Sequence, residues 1–567
     1  MVAVEATASE RLAALAASYW EERLRDYPTF ATALGHREHD DRLSDITPEG
    51  RSDILTRRTR TRAAARAIPA KDLEGQDRIT RSALITEVES EIDDLACDLE
   101  DWTVDPLAGP QVSLLNIESY QPVRTPEEGR AMIRRWRAMA AFVDDHAANL
   151  KRGLGEGKVA VRAGVDKVID ELKDLMRKRP GDWPLLRPLA ALPTDWSQRQ
   201  RREFREALSA AVRDYVYPAF VRYQKVLESQ VRPRARPQEK AGILHVPGGR
   251  EAYLRLIRVY TALDLSPEEL HGTGLREVAR INQEMETLGR KVFGIRNRGK
   301  ILRRLRTDPS LYFATRDEVA ETAERALLRA KVAIPRVFGR LPKADCDVVR
   351  MGAHEEKHST IAYYRTPAAD GSRPGSFYVN TYAPDTRPRY EAEALAYHEA
   401  IPGHHLQIAI SQELTGIPEF RRHGGVTAFV EGWGLYSERL ADEMGLYSSD
   451  LDRVGMVSYD AWRACRLVVD TGMHAMRWSR QRAIDFMREN TALAENNIGN
   501  EVDRYIAWPA QALAYKTGQL EILRLRRFAE KRLGARFDLR RFHDAVLENG
   551  AVSLQALRDA VRAYASA

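Results

Sequence analysis

The sequence predicts a mainly α-helical protein with a small β-hairpin or sheet, and three observations lead to this fold class. Apolar residues recur at helical spacing along most of the chain. Thr or Ser followed by Pro and acidic residues repeatedly marks the start of a helix. Runs of β-branched and aromatic residues are concentrated in one region, residues 359–382.

Length and composition limit the organisation of the chain. The 567 residues suffice for about two to four conventional domains or for one large helical enclosure. The 88 basic and 82 acidic residues give a net charge of only +6, and the two signs are interspersed. This balance argues against nucleic-acid binding as the main function.

The cysteines and the N-terminal residues bear on cellular location. Cys97, Cys346 and Cys465 lie far apart and form no disulfide framework or metal motif, which is typical of a reducing compartment. Residues 1–10 carry acids where a secretory signal peptide would carry a basic patch and an apolar run. No apolar stretch approaches the roughly 18 residues of a membrane-spanning helix. We therefore expect a cytoplasmic protein without a membrane partner; the sequence leaves its oligomeric state open.

Periodicity predicts the first elements in order. They are Ser9–Arg25, Thr29–Leu34, a helix capped by Thr47 that runs to Ala67, Asp77–Asp98, and helices from a Thr125 cap to about Lys178. Between the last two, Trp102–Tyr120 contains Pro106, Gly109 and Pro110 and is expected to be irregular.

A long helix and a proline-rich segment follow. Ser197–Ser229 has helical spacing, and Pro218 should kink or break it. Val231–Pro237 holds two prolines among basic residues and is expected to be an extended, exposed linker. It divides an N-terminal helical region, residues 1–230, from a C-terminal region, residues 238–567, within what we expect to be one continuous fold. Helices then follow from Arg250 to Thr261 and from the Ser266 cap to about Gly294.

The β-rich runs predict a hairpin. Ser359–Arg365 and Ser376–Tyr382 are separated by a segment rich in turn residues. An edge strand beside the candidate site could hold an extended peptide by main-chain hydrogen bonds. Tyr378 and Asn380 are the substrate-binding candidates on this strand.

The rest of the chain is predicted to be nearly all helical. Helix starts are expected near Tyr390, Thr427, Ser448, Ala483 and Arg504.

A histidine cluster at the start of this helical region indicates a metal site. His398-Glu399 begins a segment that resembles the zinc pattern His-Glu-x-x-His, in which two imidazoles share one face of a helix. Position 402 is Pro, however, so the second ligand must be His404 or His405. Apolar residues on both sides favour partial burial, and a divalent metal is the simplest partner for buried His and Glu side chains.

The choice between the two histidines depends on helix regularity. In a regular helix His405 returns to within about 20° of His398, which favours His405. Pro402 makes a regular helix improbable, and removing Ile401 and Pro402 as a two-residue bulge restores the zinc pattern with His404. We favour His404.

Downstream residues offer a third ligand. Glu431 lies among apolar and small residues, so its carboxylate needs a partner, and we predict that it completes the metal site. The competing interpretation is a buried helix-packing salt bridge. Glu438 is expected to be solvated or paired with Arg439 or Arg422.

These residues resemble a known family. The segments that carry the resemblance are His398–Gln407, Val430–Glu438, Val469–His474 with Trp478, and Glu501–Gln511 through Tyr515 and Lys516, with weaker support from Tyr27–Gly35 and Thr307–Phe313. They look like the DUF885 family, which is similar to the gluzincin metallopeptidases. The resemblance covers most of the chain, implies a helical enclosure around a deep cleft, and supports His404 over His405.

The predicted chemistry is metal-assisted hydrolysis in region 238–567. His398, His404 and Glu431 would hold Zn²⁺, and Glu399 would be the general base. The second electrophile would come from a C-terminal group that the resemblance favours, namely Tyr505, Arg504, His474 and Tyr515.

The substrate is expected to be a short peptide or another small amide. A carboxylate of that substrate could be held by Arg504 or Lys516, with Tyr515 beside them. Two alternatives remain beside the peptidase: a zinc amidase acting on a non-peptide substrate, and a non-catalytic helical binding protein with a vestigial metal site. Intact ligands together with Glu399 argue against the latter.

Overall fold

The computed structural model describes residues 6–352, 356, 360–368, 371 and 373–566. Within these residues the chain is mainly α-helical and carries a small three-stranded sheet, which confirms the predicted fold class. None of the described helices combines the length and the apolar character that a membrane crossing requires.

The N-terminal helices follow the predicted order. They are α1 (Ala8–Asp26), α2 (Pro28–Leu34), α3 (Pro48–Ala67), α4 (Gly75–Leu95), α5 (Pro110–Asn116), α6 (Pro126–Gly155) and α7 (Arg162–Arg177). Thr47 and Thr125 cap α3 and α6 as expected, each accepting a hydrogen bond from a first-turn N–H. The irregular segment predicted for 102–120 is wrong where α5 forms, because Pro110 occupies the first helical position, where its missing N–H costs nothing.

The long helix around Pro218 is distorted, as predicted. Its α-helical parts are α8 (Gln198–Ala211), α9 (Tyr217–Val226) and α10 (Arg232–Arg234). Two π-helical segments, residues 212–216 and 227–231, join them. The first π segment ends two residues before Pro218, as expected where a proline interrupts the helical hydrogen bonds.

The segment Val231–Pro237 is exposed at Pro233 and Pro237, as predicted, but it is not extended throughout, because 232–234 are helical and Arg236 anchors it. Arg236 is buried and donates hydrogen bonds to the carbonyls of Val159, Lys240 and Gly242 at 2.7, 2.8 and 2.6 Å. Its backbone forms an isolated parallel bridge with Val161. The arginine can therefore tie this basic segment into the fold despite its two prolines. The division into residues 1–230 and 238–567 stays a prediction.

The middle of the chain contributes four helices and the sheet. The helices are α11 (Gly249–Thr261), α12 (Pro267–Phe293), α13 (Arg298–Thr307) and α14 (Arg316–Ala333). The strands are β1 (Cys346–Arg350), β2 (Ala362–Arg365) and β3 (Gly375–Val379), in the spatial order β1-β3-β2.

The sheet confirms the hairpin and adds a strand. β2 and β3 pair antiparallel, with Tyr363 opposite Tyr378; Ser359, the predicted first residue of the hairpin, lies outside the described residues. β1 pairs parallel with β3 and was not predicted, because parallel pairing joins segments that no local turn connects. β3 is consequently the central strand.

The C-terminal helices surround the candidate site. They are α15 (Ala392–Glu399), α16 (His404–Gln412), α17 (Glu419–His423), α18 (Thr427–Glu443), α19 (Asp450–Ala475), α20 (Arg480–Asn490), α21 (Glu495–Ala507), α22 (Ala514–Leu533), α23 (Leu539–Leu547) and α24 (Leu554–Ser566). The start predicted at Arg504 is wrong, because Arg504 lies in the last turn of α21. There a basic side chain favours the negative end of the helix dipole.

Two close helix pairs form the frame of the site. α12 packs along α19, and α18 packs along α22. A Cβ atom at Gly432 of α18 would lie 2.5 Å from the Cα of Gly518, so the second pair needs glycine at this crossing. The largest apolar cluster joins N-terminal residues such as Leu12 and Val88 to C-terminal residues such as Leu440 and Val561.

Candidate metal centre

The break between α15 and α16 positions the two histidines. α15 ends at Glu399 and α16 begins at His404. A Cβ atom at Gly403 would overlap the His398 carbonyl oxygen, so only glycine permits this tight turn. The Trp433 indole donates a hydrogen bond to the Pro402 carbonyl at 2.9 Å and ties the turn to α18. Pro402 and Gly403 thus place His404 differently from a regular helix.

His398, His404 and Glu431 come together. One donor atom from each lies within 4.8 Å of the others. Glu431 Oε2 is 3.7 Å from His398 Nε2 and 3.6 Å from His404 Nε2. Ligand atoms about 2.0–2.1 Å from zinc in a tetrahedron are roughly 3.3 Å apart, so small side-chain movements would suffice. This partly buried set of two imidazoles and one carboxylate fits Zn²⁺.

Space for the His398 ring depends on Gly434. A Cβ atom at this position would lie 2.6 Å from Cε1 and 2.8 Å from Nε2 of His398. Gly434 is three residues after Glu431, so both residues lie on the same side of α18. The glycine therefore lets the carboxylate and the imidazole approach each other.

Glu438 corrects a sequence prediction. It is not solvated or paired with Arg439 or Arg422; its side chain is 2% exposed and lies 2.7 Å from His398 Nδ1. Because the carboxylate accepts a hydrogen bond from Nδ1–H, Nε2 is the ring nitrogen that faces Glu431 and would bind a metal. A carboxylate behind a metal-binding histidine fixes the tautomer and the ring orientation.

The electrostatics of the cluster follow from burial and opposite charges. Burial lowers the pKa of His398, but the Glu431 and Glu438 carboxylates outweigh it and raise the pKa to about 9. Burial raises the pKa of Glu431, yet His398 and His404 hold that pKa well below its usual range. The three groups therefore attract one another strongly, and a divalent cation could take the place of the protons.

His405 points away from this cluster. It is fully buried, and its Nδ1 and Nε2 lie 2.9 Å from the Tyr364 hydroxyl and 3.1 Å from the Ala344 carbonyl. Burial lowers its pKa to about 4. His405 thus links the sheet to α16, and of the two histidines it is His404 that joins His398 and Glu431.

Glu399, the predicted general base, follows His398 as the last residue of α15 and is half-buried. Glu399 is therefore adjacent to a cluster residue in sequence, but its carboxylate does not belong to the donor set.

Two of the predicted electrophiles are committed elsewhere. Ile243 N–H donates to His474 Nδ1, and His474 Nε2 donates to the Tyr505 carbonyl, both at 3.0 Å. The Tyr505 hydroxyl donates to Glu501 at 2.7 Å and accepts a bond from Arg466 at 2.9 Å. Both donors are thus engaged within the protein in this structure, and the roles of His474 and Tyr505 as electrophiles stay predictions.

Lys516 and Arg504, the two predicted carboxylate-binding residues, differ in how many of their donors are engaged within the protein. Lys516 is buried, and its ammonium group contacts Asp460 at 2.6 Å, Gln519 at 2.7 Å and Glu277 at 3.1 Å. All three of its N–H donors are engaged within the protein, and its role in binding a substrate carboxylate stays a prediction. Arg504 bonds to Gln511 at 2.9 Å and to the Tyr515 hydroxyl at 3.4 Å. The roles of Arg504 and Tyr515 stay predictions.

The predicted substrate strand is only partly suitable. Asn380 is buried and donates to the carbonyls of Glu356 and Thr360 at 2.7 and 2.9 Å, so it has no donor for a substrate. Tyr378 stacks on Tyr363 with a ring distance of 4.7 Å and stays a prediction. Because β3 is central, a peptide could not pair along it; β2 is the edge strand of the hairpin.

Two buried residues of α19 were not among the predicted site residues. Tyr459 and Arg463 are both buried, and the Arg463 guanidinium lies 4.5 Å from the Tyr459 ring centre. Their spacing of four residues indicated only a common helix face. No local signal distinguishes them from ordinary core residues.

Comparisons with known proteins bear on the family. A family model described as "Bacterial protein of unknown function (DUF885)" matches residues 28–561. A solved structure from Colwellia psychrerythraea is 27% identical, covers 99% of each chain and has a TM-score of 0.91. One from Shewanella oneidensis is 18% identical, covers 98% of this chain and 99% of its own, and has a TM-score of 0.74. Both carry the description "putative lipoprotein". Curated proteins give no match.

Proposed function

Because this chain belongs to the DUF885 family, whose description leaves the function open, we propose an activity from the metal centre: zinc-dependent hydrolysis of short peptides. The observation that carries the proposal is the cluster of His398, His404 and Glu431, with donor atoms within 4.8 Å of one another and with Glu399 beside it. The likeness to gluzincin metallopeptidases is part of this proposal, since they also use two His and one Glu.

The cluster would hold the ion on one side and leave room on the other. Three protein ligands and an open position are typical of catalytic zinc, whereas structural zinc normally has four protein ligands. When bound there, zinc supplies Lewis acidity for a substrate carbonyl and acidifies a coordinated water. The 20% exposure of the Glu431 side chain is consistent with access to the site.

Glu399 and Glu438 would then have separate roles. Glu399 would accept the proton of the attacking water and deliver it to the leaving amine. Glu438 would keep His398 Nδ1–H bonded and Nε2 directed at the ion. These two carboxylates have different roles because one ends α15, whereas the other is buried behind His398.

The test separates metal binding from chemistry. Purified protein should hold about one zinc per chain by elemental analysis, and His398→Ala or Glu431→Ala should remove most of it. Glu399→Gln should retain zinc and lose hydrolysis of a mixed peptide library by at least about 100-fold. Unchanged zinc content in both ligand variants would refute the metal site, and full activity in Glu399→Gln would refute its role as the base.

A cytoplasmic location is part of the proposal. Cys97, Cys346 and Cys465 are buried free thiols, which supports a reducing compartment. Fractionation of cells that express the native gene tests this, and recovery of the protein in the membrane fraction would contradict it.

A further inference from the structure

Arg463 is a buried cation that forms no ion pair with any residue the structure describes. It is 5% exposed, and its Nε and Nη1 atoms are buried without a hydrogen-bond partner among the described residues. No ion pair of Arg463 occurs there either. By contrast, Arg58 contacts Asp26 and Glu91, and Arg135 bonds to Thr32 and other groups. Buried polar groups are nearly always hydrogen-bonded, so the two orphaned nitrogens point to a ligand that supplies acceptors.

Aromatic rings hold this guanidinium in place. Its central carbon lies 4.5 Å from the Tyr459 ring centre and 4.4 Å from that of Trp462. Such stacking orients the planar group and leaves its N–H edge for hydrogen bonds. Arg463 is thus held by contacts to its faces, while Nε and Nη1 have no acceptor among the described residues.

Tyr459 also faces α15, the helix that carries His398 and packs against α19. Tyr459 lines a small cavity with Glu391 and Leu395, and Leu395 lies on α15 one turn before His398. Burial raises the pKa of Tyr459 well above its usual range, with smaller contributions from carboxylates that include Glu438 and Glu399. The Tyr459 ring therefore connects Arg463 to the cavity beside α15.

Glu391 is the carboxyl group that could neutralise Arg463. It accepts a hydrogen bond from the Ser458 hydroxyl at 2.9 Å but forms no ion pair with Arg463. Burial raises the pKa of Glu391 to about 7 despite the nearby Arg463 charge. Among the described residues, Glu391 is thus near Arg463 without forming an ion pair with it.

We infer that Arg463 binds a carboxylate of the substrate beside the metal centre. The inference rests on the proposed hydrolase function and narrows its substrate to peptides that carry a carboxylate near the scissile bond. That carboxylate is either the C-terminus of the peptide or an acidic side chain, and a planar guanidinium can bind either in a two-pronged manner.

The experiment compares three peptides in two assays. Ala-Ala-Ala, its C-terminal amide, and Ala-Glu-Ala amide are tested for hydrolysis by the zinc-loaded protein and for calorimetric binding to Glu399→Gln. The key variant is Arg463→Met, which keeps an unbranched apolar stem like that of arginine and removes the guanidinium with its charge. Arg453→Met is the matched control, because Arg453 is on the same helix and forms exposed ion pairs with Asp442.

In the native protein, the free acid should bind and react about 10- to 150-fold better than the amide, as expected for a charged hydrogen bond. In Arg463→Met the free acid should fall to the level of the amide, whereas Arg453→Met should keep the native ratio. If Ala-Glu-Ala amide binds and reacts better than Ala-Ala-Ala amide in the native protein, the ligand of Arg463 is a side-chain carboxylate.

Other outcomes overturn the inference. They are a native preference for a carboxylate-bearing peptide that Arg463→Met leaves unchanged, no native preference for Ala-Ala-Ala or Ala-Glu-Ala amide over Ala-Ala-Ala amide, or no binding of any probe. If Arg463→Met does not fold, Arg463→Lys should give an intermediate ratio, and a native ratio there would count against the two-pronged contact. Binding preference without hydrolysis of any peptide would refute the proposed function and leave the carboxylate site standing.

Discussion

Replacing Glu438 by Gln tests whether the carboxylate behind His398 tunes the metal centre. Glutamine keeps the size of the side chain and a carbonyl oxygen that can accept the bond from His398 Nδ1, which spans 2.7 Å in the native protein. What disappears is the negative charge. Because Glu438 is 1% exposed, solvent cannot replace that charge.

The expected loss is confined to metal affinity. Removing such a partner of a metal-bound histidine typically weakens binding about 10- to 100-fold, which corresponds to roughly 1.4–2.8 kcal/mol. The lower value applies if the glutamine carbonyl retains the hydrogen bond. The higher value applies if the buried amide N–H₂ group has to turn toward the imidazole.

The assay is competition for zinc with a chromogenic chelator, after circular dichroism has shown that the variant is folded. Glu443→Gln is the control, because Glu443 lies on the same helix with a side chain that is 47% exposed and paired with Arg526. An exposed pair of this kind contributes only about 0–1 kcal/mol and should leave zinc affinity unchanged. Equal affinity in native protein and Glu438→Gln would refute the role given to this carboxylate.

Three further predictions concern single side chains. His404→Ala should abolish zinc binding, whereas His405→Ala should retain zinc and lose about 1–3 kcal/mol of stability to urea through its buried hydrogen bonds; the reverse pattern would refute the ligand assignment. Gly434→Ala should lower zinc content, because its Cβ would lie 2.6 Å from the His398 ring, and native zinc content would show that the helix can shift. Burial lowers the pKa of His543 to about 3, so the unfolded state binds its proton first as the pH falls below about 6.5. Stability is therefore complete above that pH and falls by up to about 2 kcal/mol at pH 5; urea titrations of native protein and His543→Asn should show a weaker pH dependence in the variant, and equal slopes would contradict this.

Local patterns were sufficient for the helices. Thr47, Thr125 and Ser266 cap the helices that the sequence predicts, because a cap depends on residues only three positions apart. The hairpin also followed from a local pattern, whereas β1 did not, since its partner lies about 30 residues further along the chain.

The donor set of the metal centre was also predictable. His398 and His404 flank a short interruption, and Glu431 stands out as an acid among apolar residues, so spacing and burial pattern sufficed. The resemblance to the DUF885 family led to the same residues, and the family match supports that resemblance.

Only the tertiary structure decided what surrounds these ligands. In sequence, Glu438 and Lys516 look like solvated charges. In the structure, Glu438 accepts a hydrogen bond from His398 and Lys516 donates one to Asp460. Arg463 lies in α19, whose sequence pattern is that of an ordinary core helix and does not single this residue out. The physical reason is that a charge gains or loses its partner through contacts between helices far apart in sequence, whereas capping and periodicity act within a few residues of the chain.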